Sequence, residues 1–276
     1  MNTKLILIEG IPGSGKTSTA KAINEQLIQK RISSQLFLEG NVNHPADYEW
    51  TACLDEPQYE RLLEKYLHLE KQIRDYTIQE NLLYLIPYGK MEIEQKDDSI
   101  PKSFFEDIGK HDVYNLPLTT YCELLLNRWK SFARQAVKED PVYIFECAFF
   151  QNPINVFLAR DDRPFSELRS FLEKLTNIIS PLDPVLIYLN QENIEETINR
   201  VRKERSPEWF DFVSRYFTQQ EFGKNRGLSG FDGVISYLTS RKEAEKMLLD
   251  LLPMETRIID NSTYDWKKVN QEISRF

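Results

Sequence analysis

Cysteine and histidine are scarce in this 276-residue chain, with three of each. Cys53, Cys122 and Cys147 are odd in number and far apart, and no Cys-x-x-Cys occurs, so spacing supports neither a disulfide framework nor a zinc motif. Isolated thiols in a reducing compartment are the expectation. His44, His68 and His111 have no metal-ligand spacing, and His68 falls in a helical pattern, where a surface or satisfied core position is expected. Positive charge is in deficit: 35 Lys and Arg against 43 Asp and Glu give a net charge of −8. That balance lacks the basic footprint of a non-specific nucleic-acid or membrane-surface binder, so neither partner is expected. No apolar run reaches membrane-spanning length, and the amino end leads straight into an apolar strand without a signal-peptide core. Cytoplasmic placement is expected. There is no internal repeat and no linker long enough to separate one domain from another.

What is present is an ordinary globular composition, 41% hydrophobic and 28% charged, over a length that buries a sizeable core. Near the amino end, residues 5–8 form a short apolar run of the kind that is buried on both faces of a sheet. Gly10-x-x-x-x-Gly15-Lys16-Thr17 follows, a full phosphate-loop pattern. Glycines let the backbone approach phosphate oxygens, and N–H groups converge on them at a helix start, where the dipole favours anions. Ala20, Ile23 and Leu27 then recur at helical spacing. Strand, loop and helix in that order set the match apart from a chance glycine-rich turn. Gly10, Pro12, Gly13, Ser14, Gly15, Lys16, Thr17 and Ser18 are therefore expected to hold a nucleoside triphosphate. Lys16 would serve the outer phosphates and the Thr17 hydroxyl would ligate Mg²⁺.

Further strands are predicted over 34–39, 142–145, 185–189 and 256–259, and helices over 118–137, 165–179, 192–205, 207–222, 240–252 and 265–276. A long helical region is predicted over 57–84. Residues 86–91 are ambiguous between strand and loop, and 92–112 read as an exposed flexible excursion. Five short strands alternating with helices predict an α/β fold, a parallel sheet covered on both faces. About a hundred residues between the second and third strands are too many for a plain crossover and predict a helical subdomain. The expected organisation is one domain over 1–276, with a helical insertion at 41–140 and a lid at 200–228.

Parallel strands bring their carboxyl ends to one rim, where ligands bind. Glu39 and Glu146 follow predicted strands and belong on that rim. Glu146, after four apolar residues, is the expected metal-side carboxylate beside Thr17, leaving Glu39 to position or deprotonate an acceptor. The alternative for either acid is a helix cap or a solvent-facing group. Arg200, Arg202 and Arg205, with Lys203, suit phosphate oxygens on a lid. Their alternative is a solvated helix face, since Glu204 and Glu208 are interleaved. Arg200 and Arg205 are the expected charge-stabilising pair. Tyr48, Trp50 and Phe149 lie just beyond the two rim acids and offer rings for stacking, with a core position as the alternative.

These features resemble the P-loop kinases of the nucleoside and nucleotide kinase group, most closely the deoxynucleoside kinase–thymidylate kinase branch. The resemblance implies a P-loop NTPase fold with a five-stranded parallel sheet of order 2-3-1-4-5 and a helical lid. Glu39 matches the family's general base. Glu146-Cys147-Ala148 stands where the family has Glu-Arg-Ser, so the Glu is kept and the Arg is replaced by Cys147. Arg200 and Arg205 match the lid arginines, and Arg128 matches an acceptor-binding Arg. Asn152 falls near the family's base-reading Asp. The stretch from Asp260 to Trp266 is similar to the loop over adenine, which implies ATP as donor.

Three functions compete. The leading one is a small-molecule kinase using ATP and Mg²⁺, with an acceptor hydroxyl or phosphate. The second is an ATP-hydrolysing switch or motor, but the chain has no Asn-Lys-x-Asp and Glu146 is not part of an Asp-Glu pair. The third is a nucleotide-binding module without catalysis. A small-molecule acceptor is the expected partner, and an uncovered helical face would allow a homodimer.

Overall fold

A computed structural model describes residues 3–95 and 99–274. Among the described residues, eight strands run in chain order: β1 (Leu5–Glu9), β2 (Ser34–Phe37), β3 (Ala52–Leu54), β4 (Ile78–Glu80), β5 (Leu83–Ile86), β6 (Val142–Glu146), β7 (Val185–Asn190) and β8 (Glu255–Asp260). The chain divides into two compact units, residues 1–39 with 129–276, and Gly40–Arg128.

The first unit holds a parallel five-stranded sheet ordered β2-β6-β1-β7-β8. Counting only its own strands, that order is 2-3-1-4-5. The chain-order numbers differ because the second unit contributes three strands that the sequence did not announce. β1 is central and fully buried, as its continuous apolar run requires. Register decides which tips share a face. Ile8 pairs with Glu146 on one side and Ile187 on the other, whereas Glu9 pairs with Tyr188 and points the opposite way. The face of Ile6 and Ile8 is covered by Ala20, Ile23 and Leu27 of the helix Lys16–Gln29, and by Val269 and Ile273 of the helix Trp266–Ile273. The helix Phe165–Ile179 keeps the bounds read from its periodicity.

Residues 200–228 form three helical pieces: the end of Ile194–Glu204, then Pro207–Thr218 and Glu221–Asn225. The expected single helix over 207–222 is broken because the chain folds back on itself. A Cβ on Gly223 would meet the Thr218 carbonyl oxygen at 2.4 Å. The helix predicted from 240 begins ten residues earlier and spans Gly230–Leu251. Gly233 disguised it, yet that glycine is required, since a Cβ there would lie 2.8 Å from Thr218 Cγ2. The last helix ends at Ile273, and the final two residues of its predicted span lie outside the described residues.

The second unit is not purely helical. Its antiparallel sheet has order β3-β5-β4, and the region expected to be helical over 57–84 contains two helices, Glu56–Lys65 and Glu70–Tyr76, followed by β4 and the start of β5. The ambiguous stretch 86–91 is the end of β5 and the start of the helix Tyr88–Glu94. Residues 92–112 are not an exposed excursion where described. Ile100, Phe104 and Ile108 are buried with Leu62, Tyr66 and Ile86 in this unit's core. Phe104 and Ile108 mark one face of the helix Lys102–Ile108, too short for two apolar positions to stand out against its charges.

Candidate functional site at the strand tips

The phosphate loop leaves the tip of β1 at Gly10 and enters the helix at Lys16, with Gly15 left-handed at its cap (φ 97°). Its glycines are demanded by close neighbours. A Cβ on Gly13 would lie 2.2 Å from Val201 Cγ2, and one on Gly15 would lie 2.9 Å from the Trp266 ring. The helix Ile194–Glu204 and the segment after β8 therefore pack directly on the loop. The Asn261 amide donates to the Ser14 carbonyl (2.8 Å), and the Tyr264 hydroxyl donates to the Gly13 carbonyl (2.9 Å). Lys16 is 6% exposed, and its ammonium donates to the Gly10 and Ile11 carbonyls (3.0 and 3.2 Å). Burial works against its charge, but attraction to the Glu39 and Glu146 carboxylates helps hold its pKa above the usual value.

Three of the expected residues come together at the tips. The Thr17 hydroxyl donates to Glu146 Oε1 at 2.6 Å. The Glu39 backbone N–H donates to Glu146 Oε2 at 3.3 Å. Glu39 lies two residues past the end of β2, not on the strand itself, and its side chain is exposed. The Gln151 amide donates to Glu39 Oε1. Cys147 follows Glu146 with a left-handed backbone (φ 69°), and its N–H donates to the Ile8 carbonyl. The result is a compact set in which the ligand atoms of Glu39, Glu146 and Cys147 all lie within 4.8 Å of one another. Burial pushes the Cys147 thiol well above its ordinary pKa, against the pull of Lys16.

The arginines expected on a lid separate. The Arg200 guanidinium lies 2.9 Å from the centroid of Tyr264, the ring tied to Gly13, so it sits beside the loop. Burial lowers the Arg200 pKa. Arg205 instead lies over Trp209 at 5.1 Å, and Arg202 over Phe210 at 4.3 Å. Beyond β8, Trp266 reaches the loop at Gly15, whereas the Asp260 carboxylate accepts from Ser262 and closes its own turn. Pro12 lies within the loop, and Ser18 is exposed in the first turn of the helix. Asn152 lies in the short helix Gln151–Ile154, its N–H donating to the Cys147 carbonyl (3.1 Å). Phe149 is fully buried, stacked on Phe150 and edge-on to Trp129, so it is a core ring rather than an open platform.

In the second unit, Arg128 donates to the His44 carbonyl (3.2 Å) and lies over the buried Tyr48 ring at 5.2 Å. Trp50 is 49% exposed, adopts a left-handed backbone (φ 45°) and stacks on Tyr88. Its ring is thus presented to solvent from a fixed base. Burial and the Arg128 charge hold His44 down to about 3.

Residues that the sequence did not single out support the tips from the opposite face of the sheet. Glu9, fully buried, accepts the backbone N–H groups of Phe149, Phe150 and Gln151 at 2.9, 2.8 and 3.1 Å. Burial pushes Glu9 up to about 7, opposed by the Phe150 N–H and reinforced by Glu245. Arg241 and Glu245 form a fully buried ion pair at 2.8 Å; Arg241 also donates to the Gly10 carbonyl, and Tyr188 donates to Glu245. Glu9 carried a readable signal, since it ends an apolar run as Glu146 does. Arg241 and Glu245 carried none, because charges four apart on a helix read as a solvated pair.

No helix among the described residues is long and apolar enough to cross a membrane. No protein-family model matches the chain, and no curated protein matches it. Among solved structures, a thymidylate kinase from Candida albicans is similar with TM-score 0.37 and 13% identity, over 99% of this chain and 94% of that one. A GTPase in apo form from Pyrococcus abyssi is similar with TM-score 0.27 and 15% identity, over 99% and 98%. Neither likeness is close enough to carry weight. What stands is a P-loop NTPase architecture, defined by the strand order and by the phosphate loop between β1 and its helix.

Proposed function

We propose that the chain is a phosphotransferase that moves the γ-phosphoryl of ATP to a small-molecule hydroxyl or phosphate. The observation that supports this best is the convergence of Thr17, Glu146 and Glu39 beside the phosphate loop. A hydroxyl in contact with a carboxylate is a hard oxygen donor set that fits Mg²⁺, and Thr17 and Glu146 would hold it. When bound, the ion neutralises charge on the phosphates. Lys16 binds the outer phosphates, exchanging its bonds to the loop carbonyls for phosphate oxygens. Glu39, steadied by Gln151, accepts the proton of the acceptor hydroxyl. Arg200 stabilises charge on the transferring group, with Arg205 as the second candidate. Trp266 and the Asp260 turn serve the adenine end of ATP. Tyr48, Trp50, Arg128 and Asn152 are assigned to acceptor recognition.

The test is ADP release from ATP and Mg²⁺ across a panel of nucleosides, nucleoside monophosphates and other hydroxyl compounds. Lys16→Ala is expected to lower transfer by about a thousandfold, on the scale of losing a preorganised cationic or hydrogen-bonding contact. Glu39→Gln is expected to abolish transfer while nucleotide binding persists, and Trp50→Ala to raise the acceptor KM with the ATP KM unchanged. ATP turnover that needs no small acceptor and responds to a macromolecule would replace this reading with a motor or switch. Binding without turnover on every acceptor would leave a nucleotide-binding module.

A further inference from the structure

Cys147 sits where a hard-cation site has no use for sulfur. Its side chain is fully buried, and its thiol makes no hydrogen bond among the described residues, yet it lies within 4.8 Å of carboxylate oxygens of both Glu39 and Glu146. Of the three, Glu39 is exposed, and Glu146 and Cys147 are buried. Both carboxylates are already oriented. Thr17 and the Glu39 N–H hold Glu146, and Gln151 holds Glu39. Supporting hydrogen bonds of this kind are what fix metal ligands in place.

We propose that Glu39, Glu146 and Cys147 form a binding site for a thiophilic divalent cation of the zinc type, with solvent as the remaining ligand. Mixed sulfur and carboxylate donors suit Zn²⁺ and Cd²⁺, whereas Mg²⁺ prefers oxygen alone. Ligand bonds of about 2.0–2.3 Å around a tetrahedral ion need donors roughly 3.3–3.8 Å apart, so closing the set takes side-chain movement of about 1 Å. On binding, the S–H bond of Cys147 breaks, a sulfur–metal bond forms and the proton passes to the buffer, with no change of oxidation state. The ion shares Glu146 with the site assigned to Mg²⁺, so occupation by zinc blocks that site. The spacing of cysteines and histidines along the chain could not reveal such a set, because its members come from the segment after β2 and from the tip of β6.

The test is titration of the full chain with Cd²⁺ in the absence of nucleotide, read by ultraviolet thiolate-to-metal absorption. One equivalent is expected to bind, to be displaced by Zn²⁺ and to withstand excess Mg²⁺. Cys147→Ser is expected to remove the absorption, whereas Cys53→Ser and Cys122→Ser keep it. Gln151→Ala is expected to weaken binding by about 10- to 100-fold by releasing Glu39. Should Cys147→Ser fail to fold, Glu39→Gln at its exposed position serves in its place, with at least the same loss expected. Absence of the absorption in the unmodified chain would overturn the proposal. So would its persistence in Cys147→Ser, or an affinity unchanged by Glu39→Gln, which would mean a thiol acting alone. No nucleotide or acceptor enters the measurement, so its outcome is independent of the phosphotransferase reading.

Discussion

In the unit of residues 1–39 and 129–276, buried charges stand at strand tips and on the helix behind them: Glu9, Lys16, Glu146, Arg241 and Glu245. In Gly40–Arg128 the buried imidazole and carboxylates, His44, Asp47 and Asp112, lie on loops between short elements. The Asp112 carboxylate accepts from the Tyr88 hydroxyl (2.7 Å) and from the Tyr114 N–H (2.8 Å), and the Tyr114 hydroxyl donates to Asp47. The first arrangement concentrates charge where a parallel sheet ends, at a place the topology chooses. The second uses polar groups to pin loops whose backbone a small three-stranded sheet cannot organise. The same chemistry thus surrounds the candidate site in one unit and holds local architecture in the other.

The sharpest way to break this contrast is Arg241→Met. It leaves Glu245 buried without its partner and removes a donor from the Gly10 carbonyl. A loss of about 3–5 kcal/mol is expected, measured by chemical denaturation. In the second unit, Phe104→Ala opens the core around Ile100 and Ile108 and is expected to cost about 3–4 kcal/mol. Amide hydrogen exchange should show protection falling within 40–128 before it falls in β1. Equal loss in both would mean that the two units unfold as one.

Acid acts with opposite sign on two buried groups, one in each unit. The folded chain holds His44 down to about 3 against an ordinary 6.5, so its contribution to stability is present above pH 6.5 and declines as the pH falls below it. Glu9 runs the other way. Its folded value of about 7 exceeds the ordinary 4.5, so its contribution is present below about pH 4.5 and is lost as the pH rises toward 7. Each pH unit within these windows is worth at most about 1.4 kcal/mol per group. Hydrogen exchange at pH 5 and pH 7 is expected to show His44 weakening 40–128 on acidification, with that part removed by His44→Gln and opposed by Asp112, which burial raises to about 6. The residues around Glu9 should strengthen, with that effect removed by Glu9→Gln. The smallest effect is expected from Trp50→Ala, whose ring stacks on Tyr88 but is half exposed. A loss of about 1 kcal/mol or less in thermal or chemical unfolding would fit a ring held for contact rather than for stability.

How legible each region was follows from element length and burial. β1, β6 and β7 are continuous apolar runs buried on both faces, and the helix Phe165–Ile179 repeats its apolar face over four turns, so pattern alone places them. Residues 52–108 of the second unit form strands of three or four residues and helices of seven to ten. Over such lengths, periods of 2 and 3.6 are hard to tell apart, and β4 and β5 were absorbed into a helical reading. At the site, the phosphate loop was legible because its spacing is itself the chemistry. Glu146 and Glu39 were legible because they follow apolar runs. Gln151 and Cys147 were not, since neither residue type in isolation signals a site.

The order of residues along the chain was sufficient to determine a parallel α/β sheet with a phosphate loop at its central strand, because backbone geometry and apolar burial act locally and repeat. Folding alone decided which side chains meet: Thr17 with Glu146, Gln151 with Glu39, Cys147 with both acids, and Arg241 with the loop carbonyl 231 positions away. Those pairings depend on strand order and register, where a shift of one residue turns every side chain to the other face of the sheet. No local pattern carries that information.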